Sequence, residues 1–153
     1  MKVEETLETL HLTLPEPPMP VGAYVPWVRA GKLVFLAGQI PMRAGKPLVT
    51  GKLGAELTTD GVAEAVRATT LNGLAALRAA VGGDLDKVTR VVKLTGYVAS
   101  APGFTDQAGV LNHASKLLLA VFAEKGRHAR VAVGVAELPL GVPVELEMVF
   151  EVE

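Results

Sequence analysis

At 153 residues, half of them hydrophobic and 20% charged, the chain is long enough to bury a real core in a single domain, 1–153, and too short for two comfortable ones. A formal net charge of −1 offers no general attraction to phosphate backbones or anionic lipid, which argues against nucleic-acid and membrane partners. The lack of cysteine rules out disulfides, thiolate metal sites and a cysteine nucleophile, and with an acidic start and no signal-length apolar run it fits a cytoplasmic protein.

Residues 1–18 read as an N-terminal arm. Val3, Leu7 and Leu10 have helical spacing, and the prolines from Pro15 to Pro20 then stop the helix and favour extended backbone. Two short strands follow, about Ala23–Ala30 and Leu33–Gly38, joined by a tight turn at Ala30-Gly31-Lys32. From Pro41 to Thr58 the composition of Gly, Pro and Lys without a period predicts a surface loop. Asp60 is placed to cap a helix running to about Val81, with Val62, Val66, Leu74, Leu77 and Val81 on one stripe and Gly82-Gly83 at its end. A strand over Val88–Val98 leads through the breaker Ala101-Pro102-Gly103 to a second helix, about Thr105–Lys125, burying Val110, Ala114, Leu117, Val121 and Phe122.

The last two strands carry the chemistry. From Arg130 the chain alternates so that Val131, Val133 and Val135 share one face while Arg130, Ala132, Gly134 and Ala136 share the other. After a turn at Pro139, Gly141 and Pro143, Val144, Leu146, Met148, Phe150 and Val152 point one way and Glu145, Glu147 and Glu151 the other. Helices collected on one face of a mixed sheet make an α+β sandwich of two layers. The small-residue face of Arg130, Ala132 and Gly134 is expected on the uncovered side, beside Glu145 or Glu147 on a neighbouring strand, and association of subunits through that face would cover it. Periodicity alone does not separate Glu145 from Glu147. His11, His113 and His128 have no metal-ligand spacing, so no metal is expected, and Ser100 and Ser115 lie in no nucleophile elbow.

Five ordered segments point further: Val21-Gly22-Ala23-Tyr24; Leu36-Ala37-Gly38-Gln39-Ile40-Pro41; Asn112; Arg130-Val131-Ala132-Val133; and Leu138-Pro139 with Val144-Glu145-Leu146-Glu147. Together, over roughly residues 18–152, they resemble the RidA/YjgF family of reactive-intermediate deaminases, also known as L-PSP endoribonucleases, and its longer branch most closely. The resemblance implies a chorismate-mutase-like fold and a homotrimer whose sheets form a central barrel with three ligand clefts between subunits. It implies hydrolysis of 2-imino and 2-enamino acids to 2-oxo acids and ammonia, with Arg130 holding the substrate carboxylate and Glu145 positioning the attacking water. Tyr24 would support the ligand, Gly38 would line the cleft with backbone, and Asn112 matches if one extra residue separates it from Arg130. Ala37 replaces a usual serine and Ala132 a frequent cysteine, departures that bear on substrate choice.

The residue types suit the task. A guanidinium fork stays charged and grips a planar carboxylate by two parallel hydrogen bonds, and a carboxylate can take a proton from water. No cofactor is expected, because an iminium carbon is already electrophilic. The rival is a trimeric protein that holds a carboxylate metabolite without turning it over. An endoribonuclease fits poorly with a chain lacking a basic surface and a histidine pair.

Overall fold

The computed structural model describes residues 2–17, 19–20 and 22–153, so Met1 and Pro18 of the arm and Val21 of the first matching segment lie outside the described residues. The arm opens with helix α1 (Val3–Thr9) and lies over the rest of the chain: Leu7 and Leu14 are buried, and the Val3 amide donates to Asp86 Oδ1 at 2.8 Å. Strands β1 (Trp27–Ala30) and β2 (Leu33–Leu36) form the expected hairpin, with Gly31 at φ +62° in the turn. The ladder is shorter than the sequence suggests. Past Leu36, the Ala37 amide still donates to Pro26 O at 2.9 Å, and Gln39 exchanges backbone hydrogen bonds with Leu146 at 2.7 and 2.9 Å.

Residues 41–58 depart from the expected surface loop. They hold a small hairpin, β3 (Met42–Arg43) and β4 (Lys46–Pro47), turned at Ala44 and Gly45, and Leu53 is fully buried with its amide bonded to Ala99 O at 2.9 Å. Leu48, Val49 and Leu57 also pack against the core, an irregular set of apolar side chains that docks the segment without leaving a period to read.

Helix α2 (Ala63–Ala80) buries the stripe from Val62 to Val81. Asp60 does not cap it; Thr58 Oγ1 accepts from the Gly61 amide instead, at 3.0 Å, so the turn before the helix is closed two residues earlier than expected. Gly82 and Gly83 end the helix in left-handed conformations, and the Gly83 amide returns to Arg78 O at 2.8 Å. A single turn at Leu85–Lys87 leads into strand β5 (Val88–Ala99). Asp106 then caps helix α3 (Gln107–Phe122), accepting from the Gly109 amide at 3.2 Å, and a tighter turn over Ala123–Gly126 precedes β6 (Ala129–Val135) and β7 (Val144–Val152).

The strand order is β1-β2-β7-β5-β6, with only β5 and β6 parallel, so β6 is an edge strand and is separated from β7 by β5. Both long helices pack on one face, over Val34, Leu94, Val98, Leu146, Met148 and Phe150, each at most 1% exposed. Fully burying one such side chain contributes roughly 1.5–3 kcal/mol, which makes this layer the main source of stability. Among the described residues no helix is long and apolar enough to cross a membrane.

The faces of β6 are the reverse of the expectation. In register, Arg130 pairs with Leu94, Ala132 with Gly96 and Gly134 with Val98, so the small residues turn toward α3 and not toward the open side. The helix comes close on this side: a Cβ on Gly134 would stand 2.8 Å from Gln107 Nε2, and one on Gly96, the β5 partner of Ala132, would collide with the Leu111 side chain. The open face instead carries Val28, Phe35, Val131 and Val133, 40–56% exposed, with Thr95, Tyr97, Glu145 and Glu147 among them.

Candidate functional site

Arg130 rises from edge strand β6 against the side of α3. Its Nη1 donates to Asn112 Oδ1 at 2.8 Å and to Ser115 Oγ at 3.2 Å, which satisfies both protons of that nitrogen. Asn112 and Ser115 stand three residues apart on one helix face, as the helical period requires. Among the described residues no carboxylate forms an ion pair with Arg130, so the charge of a half-buried guanidinium is left uncompensated. Behind it, Ser115 Oγ lies 2.9 Å from His128 Nε2, and His128 Nδ1 lies 2.6 Å from Gly126 O.

Glu145 lies on the other face of the sheet. It is half-buried beside Gly38, where a Cβ would collide with its Oε1, so the glycine makes room for the carboxylate. Burial pushes the Glu145 carboxyl above the ordinary carboxylate range, and the negative charge of Glu147 adds to the shift. Tyr97, directly opposite Glu145 on β5, donates its hydroxyl to Glu147 Oε1 at 2.5 Å, and that bond raises the phenol above its usual range. Glu147 is therefore occupied by a neighbour, while Glu145 accepts no hydrogen bond from any described residue. Gly38 also contributes backbone to a cavity of about 610 Å³, whose wall includes Tyr24, Ala37, Ile40, Leu71 and Asn72. Asn72 shapes that wall by donating to Ile40 O and Met42 O, both at 3.1 Å.

The five residues singled out from the sequence thus form two groups. Arg130 and Asn112 are together on the helix side of β6, and Glu145, Gly38 and Tyr24 are together around the end of β2. The expectation that Arg130 and Glu145 share one surface of adjacent strands is not met: β5 lies between their strands, and the partners of Arg130 and Glu145 on it, Leu94 and Tyr97, point to opposite faces. Ser115 and His128 were not assigned to the site from sequence. Their signal was the spacing itself, Ser115 three after Asn112 on a helix and His128 two before Arg130 along the chain into a strand.

A family model described as "YjgF/chorismate_mutase-like, putative endoribonuclease" matches residues 4–151. Protein TCP17 of Trypanosoma cruzi is 44% identical over 98% of this chain and 94% of its own length. The crystal structure of Atu1372, a protein of unknown function from Agrobacterium tumefaciens, matches with a TM-score of 0.89 at 42% identity, covering 98% of this chain and 91% of that one. A 2-iminobutanoate/2-iminopropanoate deaminase of Dermatophagoides farinae is 27% identical over 93% of this chain and 95% of its own. With the layered sheet, the cradled arginine and a family match spanning nearly its whole length, the chain belongs to the YjgF/RidA family and has its chorismate-mutase-like α+β fold.

Proposed function

We propose that the protein hydrolyses 2-imino acids, formed by tautomerisation of 2-enamino acids, to 2-oxo acids and ammonia, in clefts that a second copy of the chain completes. The observation that carries this reading is Arg130, half-buried, with one nitrogen fixed by two oxygens and no acidic partner among the described residues. A half-buried cation held in this way is a receptor for a small carboxylate. The deaminase name of the mite relative supports the same chemistry.

In the proposed reaction the substrate carboxylate binds Arg130 and the iminium carbon faces a water held by Glu145. As water oxygen bonds to that carbon, one water proton passes to the Glu145 carboxylate. The resulting carbinolamine takes that proton on nitrogen, the carbon–nitrogen bond breaks with its electron pair going to nitrogen, the hydroxyl proton passes to the freed Glu145 carboxylate as the carbonyl forms, and the released ammonia takes up that proton as ammonium. The raised Glu145 carboxyl favours this role, since a base held above the ordinary carboxylate range accepts a proton more readily. The apolar cavity beside Gly38 gives the substrate side chain room.

Arg130 and Glu145 of one chain face opposite ways, so a site using both takes one from each of two subunits. The exposed Val28, Phe35, Val131 and Val133 on the open face support the association this needs, and a closed homotrimer of open faces turned inward would cover them. Ammonia release from 2-iminobutyrate, generated in place by an amino-acid oxidase, tests the reaction. Acceleration over the uncatalysed rate is expected; binding of 2-oxobutyrate without acceleration would make the chain a carboxylate-binding protein instead.

A further inference from the structure

We propose that Ser115 and His128 are positioning residues, forming a one-way hydrogen-bond relay that fixes the rotamer of Arg130 and thereby the strength and geometry of carboxylate binding. The inference rests on the proposed role of Arg130 as the carboxylate receptor.

The direction of the relay follows from which atoms can donate. Gly126 O only accepts, so His128 Nδ1, 2.6 Å away, carries a proton. In a neutral imidazole Nε2 is then an acceptor, and the Ser115 hydroxyl 2.9 Å from it must be the donor. With its proton committed to His128, Ser115 Oγ presents lone pairs, and Arg130 Nη1 donates to them at 3.2 Å. The second Nη1 proton goes to Asn112 Oδ1 at 2.8 Å. Each link excludes the opposite orientation of the next.

The outcome at Arg130 is specific. Both Nη1 protons are used, so the edge made by Nε and Nη2 is the one left for two parallel bonds to a carboxylate. A long, rotamer-rich side chain loses freedom when it binds a ligand, and a side chain already held loses less. A neutral His128 carrying its proton on Nε2 would break the relay at two places, facing the Ser115 hydroxyl with a donor and the Gly126 carbonyl with a bare nitrogen.

The experiment combines ¹⁵N spectroscopy of histidine-labelled protein with calorimetric titration of 2-oxobutyrate. With the His128 ring neutral, the spectrum should show the proton on Nδ1 and a bare, hydrogen-bonded Nε2. Ser115→Ala and His128→Phe should each weaken 2-oxobutyrate about tenfold, the loss of about one hydrogen bond to a charged group. They should raise KM for the imine by a similar factor and leave kcat within about twofold. His128→Gln, whose amide oxygen can reach the position of Nε2, should restore most of the affinity. A neutral His128 protonated on Nε2 overturns the relay, as does unchanged affinity in Ser115→Ala, or an affinity in His128→Gln as poor as in His128→Phe. If His128→Phe does not fold, the tautomer and Ser115→Ala still decide. If the wild type neither binds the 2-oxo acid nor hydrolyses the imine, the proposed function fails, and the tautomer decides the relay by itself.

Discussion

Replacing Gly38 with alanine should displace the Glu145 carboxylate, the proposed base, while leaving the fold intact. The backbone there is not left-handed, so an alanine is unstrained, and Gly→Ala at such a site tends to stabilise slightly by restricting the unfolded chain. The new Cβ would collide with Glu145 Oε1 and stand 3.2 Å from its Cδ and 3.4 Å from its Cγ. Oε1 ends a flexible side chain, so the carboxylate yields, by on the order of 1 Å to reach an ordinary contact. A misplacement of that size costs about a hundredfold in rate, about 2.7 kcal/mol of barrier. Ammonia release should therefore fall about a hundredfold with Tm unchanged or slightly raised, and 2-oxobutyrate, anchored at Arg130, should lose far less affinity. A folded Gly38→Ala protein with the full wild-type rate would refute the placement of Glu145 at the reacting water.

Arg130→Lys should bind 2-oxobutyrate weakly and lose turnover, because an ammonium is a point charge without the planar fork; calorimetry and ammonia release would both show it. The raised carboxyl of Glu145 has a stability consequence. The folded chain holds that proton more tightly than the unfolded one, so the group's contribution is most favourable at low pH and is lost as pH rises through the raised folded value. Glu145→Gln should therefore raise Tm at neutral pH and lose this advantage as pH falls to the ordinary carboxylate range, which thermal melts across pH would register. On the open face, Val133→Lys should dissociate the proposed homotrimer, seen as a shift toward monomer in sedimentation equilibrium, since a charge would have to be buried between subunits.

Much of the fold was legible because periodicity is a direct record of burial. The alternation in β7 and the stripes of α2 and α3 report which side chains leave water, and those elements lie where the pattern puts them. The face of β6 was not legible from β6 alone. A run of Ala and Gly suits an open face, a ligand cleft or a closely packed helix equally, and only pairing with Gly96 under Leu111 decides for the helix. Leu53 and its neighbours Leu48, Val49 and Leu57 escaped notice because irregularly spaced apolar residues have no period, and Asp60 misled because Thr58 was an equally suitable side chain nearby. Of the candidate site, the family motif and the residue chemistry nominated Arg130, Asn112, Glu145, Gly38 and Tyr24, while their division between two faces depends on strand order, which no local pattern carries.

The central claim is that Arg130 of one chain and Glu145 of another meet in one hydrolytic site, and complementation measures it directly. Arg130→Ala and Glu145→Gln chains, each expected to be inactive alone in the proposed homotrimer, are mixed in equal amounts, dissociated and reassembled. In a ring whose sites each draw the two residues from neighbouring chains, about one site in four receives both intact residues, so ammonia release should recover to about a quarter of the wild-type rate. Reassembled mixed oligomers that remain as inactive as their parents would contradict the account.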